Sequence, residues 1–422
     1  MIVDLPGTTV ATLSGTLRRI REDTGAMALS RVLTLVVVVD DQHAEEILKI
    51  ATQATHQHPS RIVCVVNSTR RGVSRLDGQL RVGGDAGASE IVVLRLFGDL
   101  NAHADSVVMP LLLPDSPVVA WWPYEAPKNP AADPVGALAH RRITDAEHSS
   151  DPAKTIAARA KVYTDGDTDL VWTRTTRWRS ILAAALEQPP FEPVTHVSVC
   201  GGLDSGSTDL LAAWLGRALR CPVTRGRSPA GTGLVSVRMT RDSGPIDLIR
   251  PDGLIAVLSH PGQPPRRVAM ARRSDEECLA DELARLDPDE VYQEALIHGL
   301  PLLKGKASMT ASEATDKGLA PSLDGAREMV AELQRTAADH GSAAMVTAAP
   351  PPDRSGTAAV RQRVEVRAEE IRQEQQELAA SQRKRSSKRS AASGPSSKAS
   401  RTPSSGMRRK APSRGTSSDK AE

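Results

Sequence analysis

The sequence predicts an α/β protein: a first part built on a mostly parallel sheet, a second α+β part with an antiparallel meander, and a disordered basic tail. Three observations predict this. The first hundred residues carry apolar, β-branched runs of strand length, VLTLVVVV at 32–39, RIVCVVN at 61–67 and EIVVLRL at 90–96. Such runs lack the alternation of a half-exposed strand and mark strands buried on both faces, as in a parallel sheet. The middle of the chain has shorter strand-like segments separated by Asp242-Ser243-Gly244 and Asp252-Gly253, which carry hairpin turn chemistry. The last 42 residues, from Ser381, hold 12 Lys and Arg against Asp419 and Glu422 and no aromatic residue, too little apolar surface to fold.

Composition bounds the function classes. The 422 residues suffice for two or three domains, and hydrophobic content is 40%. Net charge is +3, but the tail alone carries +10, so residues 1–380 carry −7. The isoelectric point near 8.7 therefore describes the tail. The body is mildly acidic, which argues against nucleic-acid binding outside the tail. The opening MIVDLPGTT has no basic segment leading into an apolar one, and no apolar run reaches half a membrane span. A soluble, cytoplasmic protein without a membrane partner is expected. Cys64, Cys200, Cys221 and Cys278 are widely spaced and form no zinc-like pattern, so inert reduced thiols are expected.

Taken in order, 10–29 reads as a helix, with Leu13, Leu17 and Ile20 near helical spacing and Gly25 near its end. Val32–Val39 is the first buried strand, and Asp40-Asp41 open a helix to about 56. Strands follow at 61–67, 76–82 and 90–96. A short helix at 105–113 is broken near Pro110, and a short strand at Val118–Trp122 is stopped by Pro123. Residues 125–160, with Pro127, Pro130, Pro134 and Pro152, read as loop-rich. This places the first domain at 1–150. The second, 151–303, reads as a strand-like Leu170–Thr173, a helix at 176–187, a strand at 196–200 and a helix at 208–219. Strands at 234–241, 245–250 and 254–260 follow, with another at 267–273, then helices at 275–286 and on to about 299. The segment 304–422 is low in complexity, with a helical hint at 324–338 and a charged helix suggested at 361–385.

The sharpest motif is VSVCGGLDSGS at 197–207. It resembles the SGGxDS phosphate loop of ATP pyrophosphatase-type adenylating enzymes, with Cys200 in place of the first serine. Gly201, Gly202, Asp204, Ser205 and Ser207 are therefore candidate anion-loop residues, their amides able to cradle a phosphate at a helix N-terminus. The bland alternative is a glycine turn whose Ser205 or Ser207 caps the next helix. Residues 165–169, DGDTD, begin like a calcium loop, but Leu170 stands where glycine is required and Thr176 where glutamate is required. His56 and His58 are two apart and do not share a helical face. Arg31, Arg141, Arg142, and Arg177 with Arg179 around Trp178 are candidate contacts for anionic groups. No catalytic set, metal set or cofactor motif emerges.

Several long strings, taken together, resemble one family. They are MIVDLPGTT at the start, RVLTLVVVV at 31–39, VMPLLLPDSPVVAWWP at 108–123 and AHRRITDA at 139–146. GDTDLVWTRTTRWRSILAAALE at 166–187, GLDSGSTDLLAAWLG at 202–216 and LDPDEVYQEAL at 286–296 continue it. The family is the OpcA-type glucose-6-phosphate dehydrogenase assembly protein, and the resemblance spans about residues 1–300 in order. It implies a non-catalytic partner that assembles or activates the dehydrogenase and so supports the oxidative pentose phosphate pathway and NADPH supply. It implies no cofactor of the chain's own and supplies no binding residues. The alternative is a nucleotide-dependent transferase or ligase using the glycine-rich loop at 200–207.

Trp121, Trp122 and Tyr124 form a cluster in a chain with ten aromatic residues. Neighbouring strand residues point to opposite faces, so the two tryptophans are expected to separate. One should pack inside the sheet, and the other should face a second layer, the second domain or a partner. Tyr124, beyond Pro123, is expected at the rim. With Arg141, Arg142, Arg177 and Trp178, these three make the candidate partner interface.

Overall fold

The computed structural model describes residues 1–23, 32–56, 59–82, 90–303 and 308–339. Arg31, the His56–His58 pair as a unit, and the suggested helix at 361–385 lie outside the described residues. The fold is α/β, with a parallel-rich first sheet and a second sheet of mostly antiparallel strands.

The eight strands of the first sheet are β1 (Ile2–Leu5), β2 (Leu33–Asp40), β3 (Ser60–Asn67), β4 (Arg75–Val82), β5 (Glu90–Phe97), β6 (Val118–Trp122), β7 (Arg141–Thr144) and β8 (Asp167–Asp169). Their spatial order is β1-β4-β5-β3-β2-β6-β7-β8. From β5 through to β8 every pairing is parallel, and only β1 and β4 run against their neighbours. The apolar runs are continuous because both faces are covered. On one face Leu35, Val37, Ile62, Cys64 and Val93 pack under α2 (Ala44–Ala54) and α8 (Asp275–Leu283). On the other, Val36, Val63, Val65, Val92 and Leu94 pack under α1 (Val10–Asp23) and α3 (Ala104–Val108). From β2 the chain moves to β3 on one side and later returns to β6 on the other, so the sheet's switch point lies between β2 and β6.

Three stretches of this region depart from the sequence reading. Residues 125–160 are not all loop. They hold β7 and also α4 (Pro152–Val162), where Asp151 caps the Lys154 amide and Pro152 takes the first helical position. Leu170–Thr173 is a helical turn, α5, not a strand, because the Asp169 side chain accepts from the Val171 amide and starts the helix. The strand is instead β8, the end of the calcium-loop lookalike. Gly166 (φ +92°) is required at its start, since a β-carbon there would sit 2.3 Å from the His140 carbonyl oxygen.

The second sheet has seven strands: β9 (His196–Gly202), β10 (Val223–Ser228), β11 (Leu234–Thr240), β12 (Ile246–Ile249), β13 (Ile255–Ser259), β14 (Arg266–Ala269) and β15 (Ser308–Thr310), ordered β14-β13-β12-β11-β9-β10-β15. Strands β11 to β14 are the expected meander. The sequence reading passed over β10, which pairs parallel to β9 through the crossover helix α7 (Gly206–Leu219). The glycine motif therefore sits in a β-α-β unit. Helices α6 (Thr176–Leu186) and α7 pack on this sheet through Trp178, Leu182, Leu211 and Leu215. A fourth core, with Ile156, Val171, Trp172, Leu210, Tyr292 and Leu296, joins α4, α5 and α7 to α9 (Glu290–Gln293) and the π-helical turn Glu294–Gly299. Two further helices, α10 (Ala311–Asp316) and α11 (Leu323–Asp339), end the described chain. Among the described residues no helix is long and apolar enough to cross a membrane.

Candidate functional site

Strands β2, β3 and β6 end together at the switch point, where open α/β sheets form crevices. A cleft of about 500 Å³ lies there. It is bounded by Asp40, Asn67, Arg70, Trp122, Tyr124 and Glu125, among others. Trp121 and Trp122 separate as expected, but both are buried, at 1% and 2% exposure. Trp121 enters the core under α2 and α8, and Trp122 the core under α1 and α3. A parallel sheet has a helical layer on each face, so neither face was free to leave a tryptophan outside. Tyr124 lies at the rim, stacked on His43 at 4.1 Å between ring centroids and tilted against His148 at 4.8 Å. His43 is fixed by Asp40, whose carboxylate is 2.6 Å from Nδ1.

Beside this cleft, arginines and carboxylates pair throughout. Arg174 donates to both oxygens of Asp145, at 2.8 and 2.6 Å, to Asp275 at 2.6 Å, and pairs with Glu147 at 3.1 Å. Burial alone would push Asp145 upward. The Arg174 charge and hydrogen bonds, with His148 beside it, instead hold its carboxyl below the usual range. Asp169 has no such cation. Burial and the Asp145 charge push it up, against hydrogen bonds from Thr144 and the Ala146 and Val171 amides. Asp145, His148 and Asp275 converge closely enough to hold a cation, but the Arg174 guanidinium already occupies that role for both carboxylates.

Arg141 and Arg142, on β7, are also internal. Arg141 donates to Glu282 of α8 and to the Asp287 carbonyl, and Arg142 to Asp167 and the Ala139 and Asp165 carbonyls. Glu282 also accepts from Thr173 Oγ1 at 2.6 Å. Trp178 is buried in the second sheet's core, and the Arg250 guanidinium lies 5.3 Å from its ring. Arg179, 3.8 Å over Trp172, is also drawn inward, while Arg177 remains 43% exposed and pairs with Glu277 at 3.6 Å. The predicted interface set thus divides. Tyr124 and Arg177 reach the surface, while Trp121, Trp122, Arg141, Arg142 and Trp178 lie inside. The sequence reading did not single out Glu282, Asp145 or Arg174, because nothing local marks residues whose partners are far along the chain.

The glycine loop leads from β9 to α7. A β-carbon on Gly201 would meet Thr208 Oγ1 at 2.1 Å and the Gly233 carbonyl at 2.7 Å, so the first glycine serves close packing of helix on strand. On Gly202 it would meet Asp204 Oδ1 at 2.7 Å. Asp204 accepts from the Gly231 amide at 3.0 and 2.9 Å, and Ser207 Oγ donates to the Val171 carbonyl at 2.7 Å. Ser205 stands at the N-cap and makes no capping bond with its side chain. All four cysteines are free thiols; Cys64, Cys200 and Cys278 are buried, and burial pushes Cys64 and Cys278 up to about 12.

Fold and site together define a two-sheet α/β protein in which buried ion pairs tie β7 and α5 to α8. Family models of the glucose-6-phosphate dehydrogenase subunit match in two consecutive pieces, the N-terminal domain over residues 51–161 and the C-terminal domain over residues 165–296. The chain belongs to the OpcA-type glucose-6-phosphate dehydrogenase assembly family. No curated protein matches it. A solved oxidoreductase from Sinorhizobium meliloti is similar at 11% identity and a TM-score of 0.31, over 69% of this chain and 91% of that one.

Proposed function

We propose that this chain is a non-catalytic assembly and activating subunit that binds glucose-6-phosphate dehydrogenase. On this reading it acts in the cytoplasm at the entry to the oxidative pentose phosphate pathway and supports NADPH supply. The observation that carries the reading is the pair of consecutive family matches, which together take in most of both sheets. The chemistry of the interior agrees with it. Asp145, Glu282, Arg141 and Arg174 neutralise one another, which suits holding a shape better than moving protons. The half-buried Tyr124 with its two histidines, and Arg177, are the interface candidates within reach of a partner. The test is co-purification of the full chain with the dehydrogenase from the same organism. Oligomer size by light scattering and turnover, each with and without this chain, complete it. A stable complex with larger oligomers or faster turnover is expected. Absence of a complex together with unchanged oligomer size and rate overturns the reading.

A further inference from the structure

The N-terminus of α7 opens on a narrow slot between the sheets, with room for about 20 Å³. That admits one water-sized atom, so a ligand would insert a single oxygen of a terminal group and leave the rest of that group at the mouth. Five arginines and one carboxylate, Glu147, face it. Ser205 also lines it, 5% exposed, and its hydroxyl makes no capping hydrogen bond. A hydroxyl at this position ordinarily satisfies a first-turn amide of its own helix. Here the first turn of a 14-residue helix is left without that cap.

Arg250 is the second observation. It is 7% exposed and forms no ion pair among the described residues, although the Asp252 charge acts on it from further off. Its terminal N–H groups go to the Met270 and Leu234 carbonyls, and its Nε is buried without a partner. Holding a guanidinium out of water without a paired counter-charge is costly. A second guanidinium converges on the same spot. The position a Gly233 β-carbon would take is 3.9 Å from both Arg250 Nη2 and Arg272 Nη1, and glycine keeps it open. Arg272 is half exposed and tied to Glu147, which also serves Arg174. It can exchange that partner for a ligand while Glu147 stays with Arg174.

We propose that this slot is a binding site for a phosphate group, held by Arg250, Arg272, the Ser205 hydroxyl and the first amides of α7. Two guanidiniums with a helix N-terminus in a β-α-β unit match a tetrahedral dianion better than a planar monoanion. The group belongs either to free phosphate or to a phosphate monoester such as a hexose phosphate. The site stands independently of the dehydrogenase reading, because it is tested on this chain alone.

The experiment is calorimetric titration of the full chain with sodium phosphate, glucose 6-phosphate and sodium acetate at matched ionic strength. Saturable binding of at least one phosphate compound is expected, with acetate weaker. Tighter binding of glucose 6-phosphate assigns the ester, and equal or tighter binding of phosphate assigns the free ion. Arg272→Met and Ser205→Ala, neither of which removes a core side chain, should each weaken binding, the former by about tenfold. Arg327→Met, on α11, serves as the control and should bind as the parent does. No saturable heat up to about 10 mM of either phosphate compound overturns the proposal. So does unchanged binding by Arg272→Met. Neither result bears on co-purification with the dehydrogenase.

Discussion

Glu282→Gln is the sharpest probe of how the two halves are held together. Glu282 lies on α8, which follows the second sheet in sequence yet packs on the first, and its partner Arg141 is on β7. The two side chains are 9% and 2% exposed. Gln keeps the volume, so no cavity opens and the cost is electrostatic. Arg141 would retain the Asp287 carbonyl, and its Nε already lacks a partner, leaving a buried guanidinium without counter-charge. Breaking one side of such a pair costs about 3–5 kcal/mol. With a urea dependence of ~2–3 kcal/mol per molar, that is a midpoint shift of roughly 1–2 M. The double variant Arg141→Met, Glu282→Met removes both charges and should return most of the loss, because desolvation is no longer imposed on an unpaired ion. Urea unfolding followed by far-ultraviolet circular dichroism, with the complete double-mutant cycle, reads both quantities. A loss below about 1 kcal/mol for Glu282→Gln would refute the reasoning. It would mean that the carboxyl is already protonated in the folded chain, the direction in which burial pushes it against Arg141 and Thr173.

Trp122→Ala should destabilise the fold by about 3–5 kcal/mol, since the ring is 2% exposed within the core under α1 and α3. Unfolding by urea checks this, and a loss under 1 kcal/mol would place the ring outside the core. Tyr124→Ala, at the rim, should be the milder change for the fold and the larger one for dehydrogenase binding, measured by co-purification. His148 gives the pH dependence. Its hydrogen bond to Asp145 and that carboxylate's charge raise it above its ordinary value, against burial and Arg174. A raised histidine contributes stability that is full below its unfolded value, near 6.5, and is lost as pH rises through the folded one. The urea midpoint should therefore fall as pH rises above about 6.5, and His148→Asn should flatten that decline. Parallel profiles for the two proteins would remove His148 from the account.

The parallel core of the first sheet was legible because burial on both faces leaves a local mark, an unbroken apolar run. The meander was legible for a similar reason, since Asp242-Ser243-Gly244 and Asp252-Gly253 announce their turns. What escaped was structure whose justification is not local. The segment RRIT at β7 reads as a basic spot on a loop, and it becomes a buried strand only because Arg141 meets a carboxylate 141 residues away and Arg142 one 25 residues away. The segment VTRGRS at β10 hides for the same reason, with Arg225 and Arg227 both drawn to Asp209 of α7. In α4 the signal was present. Asp151-Pro152 is a cap followed by a first-turn proline, but four prolines in one stretch make it look like loop.

The anion-loop residues carry the same lesson one step further. As a sequence, VSVCGGLDSGS poses a choice between a phosphate cradle and a capped turn, and the two readings differ over where the side chains go. Ser207 and Asp204 are committed to backbone partners within the chain, and Gly201 is committed to Thr208, which is what a structural turn requires. Ser205 is not committed, and the arginine best placed to share its slot, Arg250, lies 45 positions further along, just past the end of β12. No local pattern links the two. Elsewhere in the body Arg141, Arg142 and Arg174 are buried against carboxylates, and Arg241, also buried, is held by the Pro190 carbonyl and His260. An uncapped helix start and a buried cation without a carboxylate, facing one slot, are each unfavourable alone. A single phosphate group would satisfy both at once, which is why the two are best read as one site.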